Sequence, residues 1–273
     1  MPARNFLTIV CCSVAFGLNV GCNDAANVTD TTASSEPQTT TPETNVTEPA
    51  AAETFQPAPD GKVLRHAVFF SFKEESTDDD IVKIVAAFRE LPTKIPEIID
   101  FQWGVNNSPE GLNDGFTHCF LLTFKDEAGR AVYLPHADHK AFGDVLRNHK
   151  DQVFVVDYWG NAGDDAGLQP LEKELKHAVF FRFQNDASAA AIKQVEDAFA
   201  ALPSKIDAIN GFEWGINNSP EAHAAGFTHC FMVSFDSEAG RAAYLPHADH
   251  LAFVEVLKPV LDAPRVMDFW VTE

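Results

Sequence analysis

The chain has 273 residues, 45% of them hydrophobic, enough for two modest domains with real cores. Its net charge of −20 argues against nucleic acid, whose phosphates require clustered Lys and Arg. The same acidity disfavours electrostatic docking on anionic lipid.

The first 22 residues stand apart. Arg4 gives a short positive start, and Phe6–Val20 is an apolar run too short for a comfortable membrane span. It ends in Leu18-Asn19-Val20-Gly21-Cys22, which resembles a bacterial lipoprotein cleavage site with Cys22 as the acylated residue. An ordinary secretory signal with an incidental Cys is the alternative. Either way the chain is expected to be exported, to the periplasm or the cell exterior. Residues 23–60 contain no Lys or Arg and are dominated by Thr, Ala, Glu, Pro and Asn. Such a segment buries too little apolar surface to offset its ordering entropy, and is expected to be a disordered tether.

Leu64–Phe72 alternates and is rich in Phe and Val, which predicts a strand with Leu64, His66, Val68, Phe70 and Phe72 on one face. Thr77 followed by Asp78–Asp80 reads as an N-cap with an acidic first turn. The helix it opens carries Ile81, Ile84, Val85 and Phe88, and Pro92 is expected to stop it. Ile98–Val105 is a second strand and Asn106–Pro109 a turn. Phe116–Phe124 is a third strand. Glu127–Tyr133 and His136–Leu146 look helical, with Pro135 forcing a break between them, and Val153–Trp159 is the last strand.

Then the chain says the same thing again. HAVFF at His66–Phe70 returns at His177–Phe181, 111 residues later, and residues 62–159 match residues 173–270 at 51 of 98 positions without a gap. A unit of about 100 residues is the size of a whole domain, so residues 62–159 and 173–271 are two copies of one, joined by a linker over 160–172. The order β-α-β-β-α-β is ferredoxin-like, an α+β fold with helices on one face of a four-stranded sheet. The bare face needs a cover, and the second copy supplies it. We therefore expect both sheets to pack into one α/β barrel within a monomeric chain, a pseudo-dimer. Cys119 and Cys230 fall at equivalent mid-strand positions and read as buried thiols rather than a disulfide.

HAVFFSF, LPTKIPEIIDFQWGVNNSPEG, GFTHCFLLTF, YLPHADHKAF and the closing VVDYW together resemble the stress-responsive dimeric α/β-barrel (Dabb) family. The resemblance covers about 65–159 and 176–270, and implies a fused version of the family's two-fold barrel. In one plant branch, a polyketide cyclase, a Tyr and a His of the Tyr-x-x-His-x-x-His segment form an acid/base pair. Carried over, these are Tyr133 and His139, and Tyr244 and His250. The strand histidines match His66, His118, His177 and His229, candidate ligand-binding residues. The plant enzyme has Ile-His-Pro before its Ala-His, where this chain reads Pro135-His136-Ala137-Asp138-His139.

Three readings of the histidines stay open. One is catalytic, with His139 or His250 as general base and Tyr133 or Tyr244 polarising a carbonyl, a cofactor-free lyase or cyclase. One is a metal site using Asp138 or Asp249 with nearby His, though no ligand signature supports it. The third is structural, or ligand binding without chemistry. His66 and His118 share a strand face and could lie close together. Arg130 and Arg241 read as surface ion pairs. No phosphate loop, nucleophile elbow or other cofactor signature occurs, so no cofactor is expected. The favoured reading is an exported barrel that binds a small, rather apolar molecule between sheet and helices, or serves a stress role without chemistry, and meets the membrane only through Cys22.

Overall fold

A computed structural model of the chain describes residues 55–162 and 173–272. The expected leader with Cys22, most of the tether and most of the linker lie outside the described residues. No helix among the described residues is long and apolar enough to cross a membrane.

The first repeat comprises β1 (Lys62–Phe72), α1 (Asp78–Arg89), α2 (Leu91–Lys94), β2 (Ile98–Val105), β3 (His118–Phe124), α3 (Glu127–Tyr133), α4 (Ala137–Arg147) and β4 (Lys150–Asn161). The second comprises β5 (Leu175–Phe183), α5 (Ala189–Ala200), β6 (Gly211–Ile216), β7 (His229–Phe235), α6 (Glu238–Tyr244), α7 (Ala248–Leu257) and β8 (Leu261–Trp270). Thr77 caps α1 through a reciprocal box with Asp80, whose N–H lies 3.2 Å from Thr77 Oγ1. Pro92 does not end α1, which stops at Arg89; it sits in the first turn of α2, where its missing N–H costs nothing. His136 precedes α4 rather than joining it, and its Nδ1 accepts the Asp138 N–H at 3.2 Å.

The antiparallel sheets run β2-β3-β1-β4 and β6-β7-β5-β8. Side chains alternate across each strand. Leu64, His66, Val68 and Phe70 face the helices, with Ile84, Phe88, Phe120 and Phe142 in one core. Ala67 and Phe69 face the other way, into a core shared with Phe180, Cys230 and Phe269 of the second repeat. The second sheet therefore covers the first, as the bare face required. The interior is filled with aromatic side chains, as a barrel of eight strands allows: Phe154 packs edge-on against Phe180 and Phe227 at ring separations of 4.9 and 5.4 Å. Arg265 stacks on Phe154 at 4.3 Å and reaches Asp114 at 2.8 Å. Cys119 and Cys230 are both fully buried free thiols.

The barrel closes at two seams, β4 against β6 and β2 against β8. At one, Trp103 and Thr272 exchange backbone hydrogen bonds of 2.9 Å. Glycine permits the close approach there. A Cβ on Gly104 would lie 2.5 Å from the Trp270 carbonyl oxygen, and one on Gly215 would lie 2.8 Å from Tyr158 Cβ. The other seam holds a buried group absent from the first, in which Glu213 accepts from Tyr158 Oη at 2.8 Å and Arg65 Nε at 3.1 Å. Its counterparts in the other repeat are Gln102, Phe269 and Lys176.

Candidate functional site

Each repeat carries a cavity between its sheet and its helices. In the first, β1 contributes His66, the end of α3 contributes Tyr133 and the first turn of α4 contributes His139; Val68, Phe70 and Phe142 form the apolar walls. The second repeats this with His177, Tyr244 and His250, walled by Val179, Phe181 and Phe253. The volumes are about 140 and 200 Å³.

The local sequence fixes this convergence. Pro135 prevents one continuous helix, so α3 ends on Tyr133 and α4 starts afresh, turning His139 back under Tyr133. The two rings stack at 4.1 Å, and Tyr133 meets His66 edge-on at 5.6 Å. Tyr244 stands 4.3 Å from His250 and 5.6 Å from His177. His139 Nδ1–H donates to the Leu134 carbonyl at 3.0 Å, and His250 Nδ1–H to Leu245 at 2.9 Å. Each therefore keeps a lone pair on Nε2. Burial lowers the pKa of both rings, so both are neutral near pH 7. Burial also raises the phenol pKa, to well above its ordinary value for Tyr133, so both tyrosines stay hydrogen-bond donors. The Tyr244 hydroxyl is buried and has no hydrogen-bond partner among the described residues.

The third ring is oriented by a buried ion pair. His66 Nδ1 bonds Asp157 Oδ1 at 2.7 Å, and Arg130 Nη1 donates to Asp157 Oδ2 at 2.8 Å. The second repeat has His177–Asp268 and Arg241–Asp268, both at 2.7 Å. Burial works against charging His66 and His177, yet the adjacent carboxylate outweighs it and both pKa values are raised. These contacts correct the surface reading of Arg130 and Arg241, which are 6% exposed beside carboxylates that are 0% exposed. The overlooked signal was an Asp within the apolar run VFVVDYW, on the helix-facing parity, with Asp268 at the same place in the copy.

The Asn-Asn-Ser-Pro turns do more than reverse the chain: each reaches into the other repeat. Asn218 Oδ1 accepts from Arg130 at 2.9 Å, and Asn107 Oδ1 accepts from Arg241 at 2.9 Å. Asn217 Oδ1 takes the Asp157 N–H at 3.1 Å, and Asn106 Oδ1 that of Asp268 at 2.9 Å. The same loops deliver a carboxylate. Glu221 Oε2 lies 3.7 Å from His66 Nε2, and Glu110 Oε1 lies 3.9 Å from His177 Nδ1. Each pocket is thus completed by the opposite repeat.

His118 and His229 share the helix-facing side of the sheet, but neither lines either of these two cavities. His118 pairs with Phe70 in register while His66 pairs with Leu122, four residues or about 13 Å away, so the expected closeness of the two histidines does not hold. His118 Nδ1 meets Thr117 Oγ1 at 2.9 Å and its ring packs on Phe72. His229 does likewise with Thr228 and Phe183, and reaches Glu196 Oε1 at 3.1 Å. His136 caps α4 and does not join His139. No group of three or more His, Cys, Asp or Glu among the described residues is placed to hold a metal ion.

Two ferredoxin-like repeats closing one eight-stranded barrel, with a Tyr/His-lined cavity under the helices of each, define a fused-dimer α/β barrel. The chain belongs to the stress responsive A/B barrel domain family (Dabb), whose model matches residues 64–160 and 175–271. A stress-response A/B barrel domain-containing protein of Arabidopsis thaliana, HS1, is 30% identical over 95 residues, covering 35% of this chain and 87% of its own. Olivetolic acid cyclase of Cannabis sativa is 27% identical over 95 residues, 35% of this chain and 94% of that enzyme. Each such relative corresponds to one repeat. An anthrone oxidase-like protein of known structure is 12% identical and covers 81% of this chain and 95% of its own at a TM-score of 0.53, a likeness of fold alone.

Proposed function

We propose that each repeat binds a small, largely apolar molecule of about one ring, carrying a single oxygen function, in the cavity between sheet and helices. The observation that carries this is the convergence of one Tyr hydroxyl and two His rings on an apolar-walled space in both repeats. The volumes fall short of the roughly 300 Å³ that drug-sized ligands need, but a cavity of about 150 Å³ accommodates benzene. In the second pocket the unpartnered Tyr244 hydroxyl supplies the donor for the ligand's oxygen. Phenol titrated into the full chain should shift the ring resonances of His139 and His250. Tyr244→Phe should weaken binding in the second pocket about three- to tenfold, the value of one neutral hydrogen bond. Absence of saturable shifts in the wild-type protein refutes the reading.

A second reading is supported by the neutral His139 and His250 beside protonated tyrosines: cofactor-free proton transfer of the lyase or cyclase kind. His Nε2 would take a proton from the carbon next to a carbonyl while Tyr Oη–H stabilises the enolate oxygen, and solvent exchange would return the proton. General-base assistance of this kind is worth about 10²–10⁴-fold. Acetophenone in D₂O should then lose its methyl proton signal faster with the protein, an effect abolished by His139→Ala with His250→Ala. Exchange at the buffer rate removes the catalytic reading and leaves the binding one standing.

The segment ending at Cys22 supports export and acyl anchoring, with the barrel held off the membrane by its tether. Intact mass of the chain from its native host should show residues 1–21 absent and acyl groups added. An unacylated mature chain contradicts the anchor.

A further inference from the structure

The two pockets share their Tyr, both His, the Asp–Arg pair and the crossing Glu. They differ at four lining positions; one exchanges the apolar Val153 for the apolar Pro264, and the other three replace a polar or small residue by a branched aliphatic one. Where the first pocket has Lys150, His223 and Gly143, the second has Leu261, Leu112 and Val254. Lys150 is half-buried and forms no ion pair among the described residues, and His223 is exposed, so both stand at the mouth rather than the floor. The second pocket carries branched aliphatic side chains at the same places.

We propose that the pockets have specialised: the first takes a ring-sized molecule bearing an anionic group such as a carboxylate, the second a neutral one. The proposal rests on the pocket reading above and adds the ligand class. Glu221 and Glu110 place one carboxylate in each cavity, so their charge cancels from the comparison and the extra cation of Lys150 remains. His223 adds a polar donor beside it. At the pocket mouth a ligand carboxylate keeps part of its hydration and meets Lys150 there, while its ring lies against the walls formed by Val68, Phe70 and Phe142. In the second pocket the same carboxylate would lose water against Leu112 and Leu261 with nothing to replace it, which is costly. A homodimer could not make this distinction, because each of its sites would carry the same residues. Fusion allows it, and His223 puts part of the first pocket's specificity in the second repeat.

Benzoate and benzyl alcohol, titrated separately into the full chain and followed through the ring resonances of His139 and His250, test this. Benzoate should shift His139 at concentrations that leave His250 unmoved, and benzyl alcohol should shift His250. Lys150→Leu should weaken benzoate in the first pocket about tenfold or more, as expected for one charge-assisted hydrogen bond, while benzyl alcohol still shifts His250 in the second pocket as in the wild type. The latter shows that the variant is folded. The reciprocal Leu261→Lys should bring benzoate into the second pocket. Equal occupancy of both pockets by benzoate, or unchanged benzoate binding in Lys150→Leu, overturns the specialisation while the pockets stand. If neither probe shifts either histidine, both the specialisation and the pocket reading fall.

Discussion

Replacing Arg130 by Met removes the charge that faces Asp157 while keeping most of the side-chain volume. Arg130 Nη1 donates to Asp157 Oδ2 at 2.8 Å and to Asn218 Oδ1 at 2.9 Å, so one change strands a carboxylate and cuts a tie between the repeats. Asp157 is 0% exposed and, among the described residues, keeps only His66 as a side-chain partner of its carboxylate. Breaking a buried pair from one side costs about 3–5 kcal/mol, because the remaining charge is left without water or partner. Since His66 is already biased toward its charged form by Asp157, it can compensate in part, and we expect about 3 kcal/mol, the low end of that range. Urea unfolding should show a lower midpoint at unchanged slope. Arg130 lowers the His66 pKa, so Arg130→Met should also raise it further. In a double-mutant cycle, Arg130→Met with Asp157→Asn should cost less than the two separately, since neither charge is then stranded. A loss below about 1 kcal/mol, with additive single effects, would refute the buried ion pair as a structural element.

Other outcomes follow from the same geometry. Histidine titration by NMR should place His66 and His177 above the ordinary imidazole value and His118, His139, His229 and His250 below it. The raised pair stabilises the fold fully below the unfolded pKa of about 6.5 and loses that contribution as pH rises through the folded values. The depressed four contribute above about 6.5 and lose it as pH falls through theirs. Gly104→Ala should destabilise by about 1–3 kcal/mol because its Cβ meets the Trp270 backbone. Gly143→Ala, in a helix with nothing within 4 Å of the new Cβ, should stabilise by up to about 1 kcal/mol; equal effects on thermal melting would contradict the seam. Cys119 and Cys230 should resist a thiol reagent until the chain unfolds, burial having raised both pKa values well above normal. Labelling of the native protein at the rate of a free thiol would show an open barrel.

The architecture was readable because each repeat states it redundantly. Period-two runs give the strands, Thr77 with Asp80 gives a helix start, and Glu127–Tyr133 is bounded as the pattern predicts. The duplication supplied the partner sheet, since a sheet with helices on one face must bury the other. The Tyr and His positions came from the resemblance, and their convergence follows from the Pro135 break. What escaped was the polar contacts that cross the repeats. Asn106–Pro109 announces a turn, but a local signal carries no information about what the turn touches, so the delivery of Asn107 to Arg241 and Glu110 to His177 was invisible. Arg130 was misjudged for a related reason: an Arg on a short helix is usually solvated, and only its partner on β4, far away in sequence, makes it a buried charge.

The central claim is that this barrel holds two small-molecule pockets, one under the helices of each repeat. Crystals of the full chain soaked in 4-bromophenol test it most directly, because bromine is located by its anomalous signal. The account predicts one bromine site per repeat, within contact of Tyr133 and His139 in the first and of Tyr244 and His250 in the second. Bromine only on the outer surface, or none at a soaking concentration well above a millimolar dissociation constant, would contradict it.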